Sequence, residues 1–252
     1  MELPKGHLSI SQIRCYLRCP MEYYFRYIEG IPTPPNGSLA LGRAVHKGIE
    51  HYFRQKLNTG EGPTLAEVLD AFATSFEQYS QEVDWGHENL GKSKDDGINL
   101  LKLYIQEKAH LVIPKAVECQ VMIPLAGTYL IGYVDLITEA GDVIDHKMLS
   151  RTPPEDRAEH DIRLTCYALA YLTIYGEIPQ SVQLNCLVRN KSLKIVTRSA
   201  TRSLQDINWF NRLTEDVARA IRAGIFYSNP DNFMCTPTAC GYWELCHSGR
   251  EC

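Results

Sequence analysis

An acidic residue set inside an apolar strand is the feature that most constrains this chain. From Ala116 the hydrophobic spacing stops being helical, and the segments VECQVMIPL, TYLIGYVDLIT and VIDHKML read as three short strands joined by tight glycine-containing turns. Asp135 lies within the apolar run LIGYVDLI, where an unpaired carboxylate would be costly, and Asp145 lies within the equally apolar VIDHKML. Because side chains alternate across a strand, Asp145 and Lys147 share one face while Ile144 and His146 share the other. If the second and third strands pair as a hairpin, Asp135 approaches the same spot.

An aspartate two residues before a lysine is common on edge strands, where it is a surface ion pair worth roughly 0 to 1 kcal/mol. The buried-looking context separates this pair from that pattern. Two carboxylates and a lysine at the end of a sheet suit phosphodiester hydrolysis. Hard oxygen ligands hold Mg²⁺ or Mn²⁺, and such a cation polarises a phosphoryl oxygen and acidifies water. The ammonium can orient the attacking water or neutralise charge in the transition state.

The surrounding pattern is helical. Residues 11–28 carry apolar side chains at helical spacing, with Ser11 as N-cap, a break at Cys19 and Pro20 opening a second short helix. A helix from Leu39 to Leu57 places His46 and Glu50 on one face. Helices at 64–82 and 93–112 follow. After the three strands come a helix at 161–175, the strands VQLNCLV and KIVTR, a long helix at 204–223 and a cysteine-rich tail. This order predicts an α/β fold, a mixed central β-sheet flanked by helices, in one domain spanning 1–252. Residues 114–202 would form the core sheet and 60–113 a helical insertion.

With 26 Lys and Arg against 30 Asp and Glu, the formal charge of -4 excludes a global basic field for nucleic acid. Contact must be local, and the candidate patches are Arg189, Lys191 and Lys194, then Arg198 and Arg202, then Arg14, Arg18 and Arg26. Each patch taken singly reads as solvated surface charge. The aromatic series Tyr16, Tyr23, Tyr24, Phe25 and Tyr27 offers stacking faces for single-stranded DNA, but its helical spacing reads mostly as core. No run of eighteen residues is free of charge, and the first residues have neither a basic stretch nor a long apolar block, so the expectation is a cytoplasmic protein with no membrane partner.

Nine cysteines without an export signal point to metal ligation rather than disulfides. Cys15 and Cys19 lie near the start, Cys235, Cys240, Cys246 and Cys252 crowd the end, and Cys119, Cys166 and Cys186 sit in apolar patterns as small core residues. Thiolates gathered this way suit zinc or an iron-sulfur cluster, and the wide gap from Cys240 to Cys246 counts against zinc.

The segment LGRAVH at 41–46, GYVD at 132–135, DHK at 145–147, and Leu164 with Tyr167 resemble, in order and spacing, the RecB-like branch of PD-(D/E)xK nucleases. The resemblance implies a restriction-endonuclease-like core with His46, Asp135, Asp145 and the main-chain carbonyl of His146 as ligands to Mg²⁺ or Mn²⁺. It makes Lys147 the catalytic lysine and Tyr167 an auxiliary residue. Arg163 stands where the family carries a glutamine; it either grips the scissile strand or marks weakened catalysis. The iron-sulfur subset of the family, which includes AddB-like and CRISPR adaptation nucleases, implies that Cys19, before Pro20, joins Cys235, Cys240 and Cys246 in a 4Fe-4S cluster stapling 1–30 to 225–252. Four residues rather than two separate Cys235 from Cys240, which leaves Cys15 and Cys252 as substitutes.

The implied activity is that of a metal-dependent exonuclease on single-stranded DNA or DNA ends. CRISPR adaptation or recombination and repair proteins would be its partners. A structure-specific endonuclease and a catalytically silent DNA-binding subunit remain as alternatives, and a zinc-binding scaffold ranks below them.

Overall fold

A computed structural model describes residues 1–81, 83, 85, 88–125 and 127–248. Five strands form one sheet in the order β1-β2-β3-β4-β5: β1 Pro114–Leu125, β2 Thr128–Thr138, β3 Asp142–Leu149, β4 Ser181–Val188 and β5 Lys194–Ala200. β2 and β3 are antiparallel, β3 and β4 parallel, and β4 and β5 antiparallel. The parallel pair β3–β4 requires a crossover, and it is made through α6, Arg157–His160, and α7, Ile162–Tyr175. A mixed sheet with helices around it is the architecture the sequence predicts.

The chain divides into two compact units. One comprises Pro34–Gln120 and Tyr133–Ile207, the other Met1–Thr33, Val121–Gly132 and Asn208–Cys252. In the first, α3, Gly37–Thr59, α4, Leu65–Ser80, and α5, Leu90–Glu107, bury Leu41, Val45, Phe53, Phe72, Leu100 and Leu101 against Leu136, Ile144 and Leu187 of the sheet. Each helix is stopped locally. Asn36 and Asn89 cap α3 and α5, Thr64 and Glu67 form a reciprocal capping box on α4, and Gly60 ends α3 in the left-handed conformation at φ 82°. Helix α5 starts earlier and ends sooner than the periodicity suggests, because Asn89 caps it and a 3₁₀ turn at Ala109–Leu111 takes over the last apolar positions.

The second unit contains α1, Ile10–Arg18, α2, Pro20–Tyr23, a π-helical turn at Tyr24–Ile28, and α9, Trp243–His247, with part of α8, Leu204–Arg222. The N-cap of α1 is Ser9, whose Oγ accepts from Gln12 N at 3.2 Å; Ser11 lies inside the helix, correcting the cap expected from sequence. The break at Cys19 is present, with Pro20 in the first turn of α2. Most of the aromatic series is internal or packed: Tyr23 and Tyr24 lie against Phe226, and buried Tyr16 donates to Ile225 O at 2.7 Å. Among the described residues no helix is long and apolar enough to cross a membrane.

The tightest helix packing is at Gly97 in α5. A Cβ there would fall 2.6 Å from Phe72 Cζ and 2.8 Å from Leu41 Cδ1, both fully buried. Gly97→Ala gains helix propensity but must displace two core side chains, so the expected result is a net loss of about 1 to 3 kcal/mol, read from thermal or urea unfolding.

Candidate metal and catalytic site

The site lies in the unit that holds α3, α5, β3, β4 and α7. The register of β2 on β3 runs Ile137↔Val143 and Leu136↔Ile144, so Asp135 and Asp145 are the next residues beyond the last pair. Leu136 and Ile144 face the helical core, and the aspartates alternate away from it. His46 arrives from α3, flanked by buried Ala44 and Val45 that lock its helix turn.

Asp135 is the centre of the arrangement. Its Oδ2 lies 3.0 Å from His46 Nε2 and accepts from the His146 backbone N–H at 2.9 Å, while Oδ1 accepts from the Tyr167 hydroxyl at 3.4 Å. Burial alone would raise this carboxyl, but the bonds from His146 and His46 hold it well below the ordinary carboxylate range. His46 responds in the opposite sense. Burial would lower its imidazole, yet Asp135, with Glu118 and Asp145 behind it, raises it to about 9. His46 is therefore an imidazolium at neutral pH.

Asp145 is almost completely enclosed, with 1% of its side chain exposed, and two cations meet it. Lys147 Nζ stands 2.8 Å from Oδ2, and Arg163 Nη1 donates to Oδ1 at 3.3 Å. The lysine contact is ionic without being directed as a hydrogen bond, so Oδ2 keeps its acceptor capacity. Arg163 comes from the first turn of α7, where Asp161 caps the helix by accepting from Arg163 N at 3.0 Å. Tyr167, one turn further, is buried, and burial beside Asp135 and Asp145 pushes its hydroxyl well above the usual tyrosine value.

The imidazole of His146 points to the core side. It stands against Phe53 and Tyr104, and its Nε2 lies 2.7 Å from the Tyr104 hydroxyl. Burial lowers its pKa despite Asp135, so the ring is neutral. Its Nδ1 is 3.8 Å from Asp135 Oδ2. Among the described residues, His46, Asp135 and His146 are the one group of three whose ligand-type atoms all lie within 4.8 Å of one another.

Sequence reasoning missed Glu118. Its Oε1 lies 3.4 Å from His46 Nε2, and it is the one described non-glycine residue with positive φ, 48°. That conformation costs about 1 to 3 kcal/mol for a residue with a side chain. Burial, offset by His46 and reinforced by Asp135, raises its carboxyl to about 7. The signal available was the one that exposed Asp135, an acid between apolar strand residues. Glu50, four residues after His46 in α3 and on the same face as expected, is engaged by Lys47 and Arg54.

Several arginines of the candidate basic patches are structural. Arg189 binds Asp96, Ser93 and Glu88, Arg202 is buried on Thr165 and the carbonyls of Ala158 and Asp161, and Arg198 holds the carbonyls of Pro153 and Pro154. Arg18 pairs with Glu22.

In the other unit, Cys19, Cys235, Cys240 and Cys246 line one small cavity with Phe25, Tyr242 and Trp243. Their sulfurs are not drawn into a single-ion cluster. Cys15 lies elsewhere in the core, and burial pushes its thiol up to about 12; Cys252 lies outside the described residues. Cys166 and Cys186 are buried as expected, whereas Cys119 is partly exposed.

No curated protein matches the chain. Among solved structures, one described as a "putative exonuclease" from Eubacterium rectale superposes with a TM-score of 0.60 at 11% identity, covering 98% of this chain and 89% of that one, which is a likeness of fold. A second, SSO0001, reaches a TM-score of 0.37 at 15% identity over 81% of this chain and 85% of its own, too low to carry weight. The model of the PD-(D/E)XK nuclease superfamily matches residues 7–247, nearly the full length, and the chain belongs to that superfamily.

Proposed function

We propose that this protein is a divalent-metal-dependent deoxyribonuclease acting as an exonuclease on single-stranded DNA or DNA ends, in CRISPR adaptation, recombination or repair. The observation that supports the reading is that His46 stands 3.0 Å from Asp135 Oδ2 while buried Asp145, on the neighbouring strand, pairs with Lys147 at 2.8 Å, with both carboxylates raising the pKa of His46. The donor set fits a hard cation. It offers one imidazole and carboxylate oxygens, with Asp145 Oδ2 enclosed and lacking a directed hydrogen bond. His46, Asp135, Asp145 and the main-chain carbonyl of His146 would hold Mg²⁺ or Mn²⁺, with Glu118 a further oxygen beside them. Such a cation supplies Lewis acidity toward a phosphoryl oxygen.

The residues around that position divide the remaining work. Lys147, tethered by Asp145, delivers a positive charge where negative charge accumulates on the phosphoryl oxygens during displacement. Arg163, with five donors and only one bond to Asp145, has its fork available to grip the scissile phosphate. Tyr167 keeps its proton and orients Asp135. In this reading 1–252 works as one nuclease domain in which 114–202 furnish the catalytic sheet and 60–113 are a helical insertion.

We assign the cysteine cavity to a 4Fe-4S cluster held by Cys19, Cys235, Cys240 and Cys246. Four thiolates around one zinc stand roughly 3.8 Å apart, given Zn–S bonds of about 2.3 Å and tetrahedral geometry. What supports one shared group is that all four cysteines line a single cavity. Its role would be to staple the N- and C-terminal segments.

Lys147→Ala should reduce cleavage of end-labelled single-stranded DNA in Mn²⁺ by about 100-fold or more, with circular single-stranded DNA left intact by both forms. Equal activity of wild type and variant would remove the proposed site, and cutting of the circle would make the protein an endonuclease. Because His46 must lose its proton to become a ligand, and Glu118 ionises near 7, divalent affinity should rise from pH 6 to 9, by up to about tenfold per pH unit between 7 and 9 and more steeply below 7, with proton release. Calorimetry with Mn²⁺ in buffers of different ionisation enthalpy reads both quantities. Protein purified anaerobically should contain iron and sulfide in a ratio near one, and Cys240→Ser should lose the visible absorbance and unfold at lower temperature.

A further inference from the structure

A chain of polar groups, half-buried at β5 and buried beyond it, runs from β5 to the acidic centre. Thr197 Oγ1 lies 2.9 Å from Asn185 Oδ1, Asn185 Nδ2 lies 3.5 Å from the Tyr104 hydroxyl, and that hydroxyl lies 2.7 Å from His146 Nε2. The opposite edge of the His146 ring presents Nδ1 to Asp135 Oδ2 at 3.8 Å. Tyr104, His146 and Asn185 are buried, and they come from α5, β3 and β4. The parallel register sets His146 beside Asn185, and the antiparallel one sets Asn185 beside Thr197, so the three stack across one face of the sheet with Tyr104 capping them from the helix.

Two directions of donation satisfy such a chain. In the inward one, Thr197 donates to Asn185, Asn185 to Tyr104 and Tyr104 to His146 Nε2, which leaves the ring proton on Nδ1, facing Asp135. The outward one requires the Asn185 amide to be turned over, because its NH2 cannot accept; every donation then runs the other way and an Nδ1 lone pair faces the carboxylate. The charge on Asp135 breaks the tie, since an N–H beside an enclosed carboxylate is attractive and a lone pair is repulsive.

We infer that Thr197, Asn185 and Tyr104 form an inward-donating relay that fixes His146 as its Nδ1–H tautomer, making the three of them positioning residues for Asp135. The His146 backbone N–H then bonds Asp135 Oδ2 at 2.9 Å while its ring N–H, at 3.8 Å and beyond hydrogen-bond length, adds an electrostatic attraction from the core side, and His46 meets the carboxylate from α3. The imidazole of His146 presents an N–H toward the acidic centre and is not a ligand in it. The consequence for catalysis rests on the nuclease reading; the tautomer does not. Tyr104 belongs to the helical segment expected to be an insertion, and the relay gives that segment a part in the site.

The test is long-range ¹H–¹⁵N correlation on protein labelled with ¹⁵N-histidine, with and without Mg²⁺, the His146 signals being those lost in His146→Gln. The expected wild-type spectrum has a protonated Nδ1 and an unprotonated, hydrogen-bonded Nε2 in both conditions. Tyr104→Phe removes the donor to Nε2 and should move His146 toward the Nε2–H tautomer, with Mn²⁺ affinity falling by about tenfold, the usual scale for losing a group that orients a metal ligand. An Nε2–H tautomer or an imidazolium in wild type, deprotonated Nδ1 in Mg²⁺, or a Tyr104→Phe spectrum unchanged from wild type would each overturn the relay. Should Tyr104→Phe fail to fold, the wild-type tautomer alone decides. Nδ1–H in a protein whose Lys147→Ala variant cleaves as well as wild type would leave the relay standing and remove the nuclease reading.

Discussion

The desolvated carboxylate of Asp135 is the constraint around which the site is arranged. Taking a carboxylate out of water costs on the order of several kcal/mol, and the cost is met only if its oxygens find directed partners. Here the partners come from α3, β3 and α7: an imidazole, a backbone amide and a phenol. Each partner is itself held by its own element, so the position of Asp135 is determined by the packing of a helix on each side of the sheet. Losing any one contact would leave the charge enclosed and underpaired, which is a far larger penalty than losing a surface ion pair.

A second buried acid, Asp145, is satisfied differently. Its partners are full cations, Lys147 on its own strand and Arg163 on α7. One aspartate is therefore fixed by hydrogen bonds from three elements of the fold. The other is balanced by long side chains that can swing toward an incoming anion while remaining near it. The division follows from the fold, since Asp135 lies between α3 and the amide of β3, whereas Asp145 faces the first turn of α7.

Much of this was legible in the sequence because strand alternation is a strict geometric rule. Asp145 and Lys147 had to share a face, and an acid within LIGYVDLI had to find partners. The helices were legible for the same reason, their ends less so: Ser9 rather than Ser11 caps α1, a choice between two serines that periodicity does not make. Glu118 carries the same signal, an acid between apolar strand residues, but what turns it toward His46 is one left-handed backbone conformation, which no side-chain pattern encodes. The relay behind His146 was hidden because Tyr104 and Asn185 read as an ordinary helix aromatic and strand amide, 81 residues apart, until the sheet register joins them. The basic patches misled because arginine counts do not distinguish a solvated guanidinium from one like Arg202, buried on Thr165 and two carbonyls.

The charges at the centre close on themselves. Asp135, Asp145 and, once ionised, Glu118 face Lys147, Arg163 and protonated His46. The proton on His46 acts as a placeholder for a stronger positive charge. It is held up to about 9 by the same carboxylates that would coordinate a cation, so a divalent ion entering this position adds two charges and expels one. The net gain of a single positive charge is what an entering phosphodiester, with its single negative charge, would neutralise. Arg163, already counted among the three cations, supplies one of the positive charges in that balance. It does so without adding an unpaired buried charge, because Asp145 is already there to receive it.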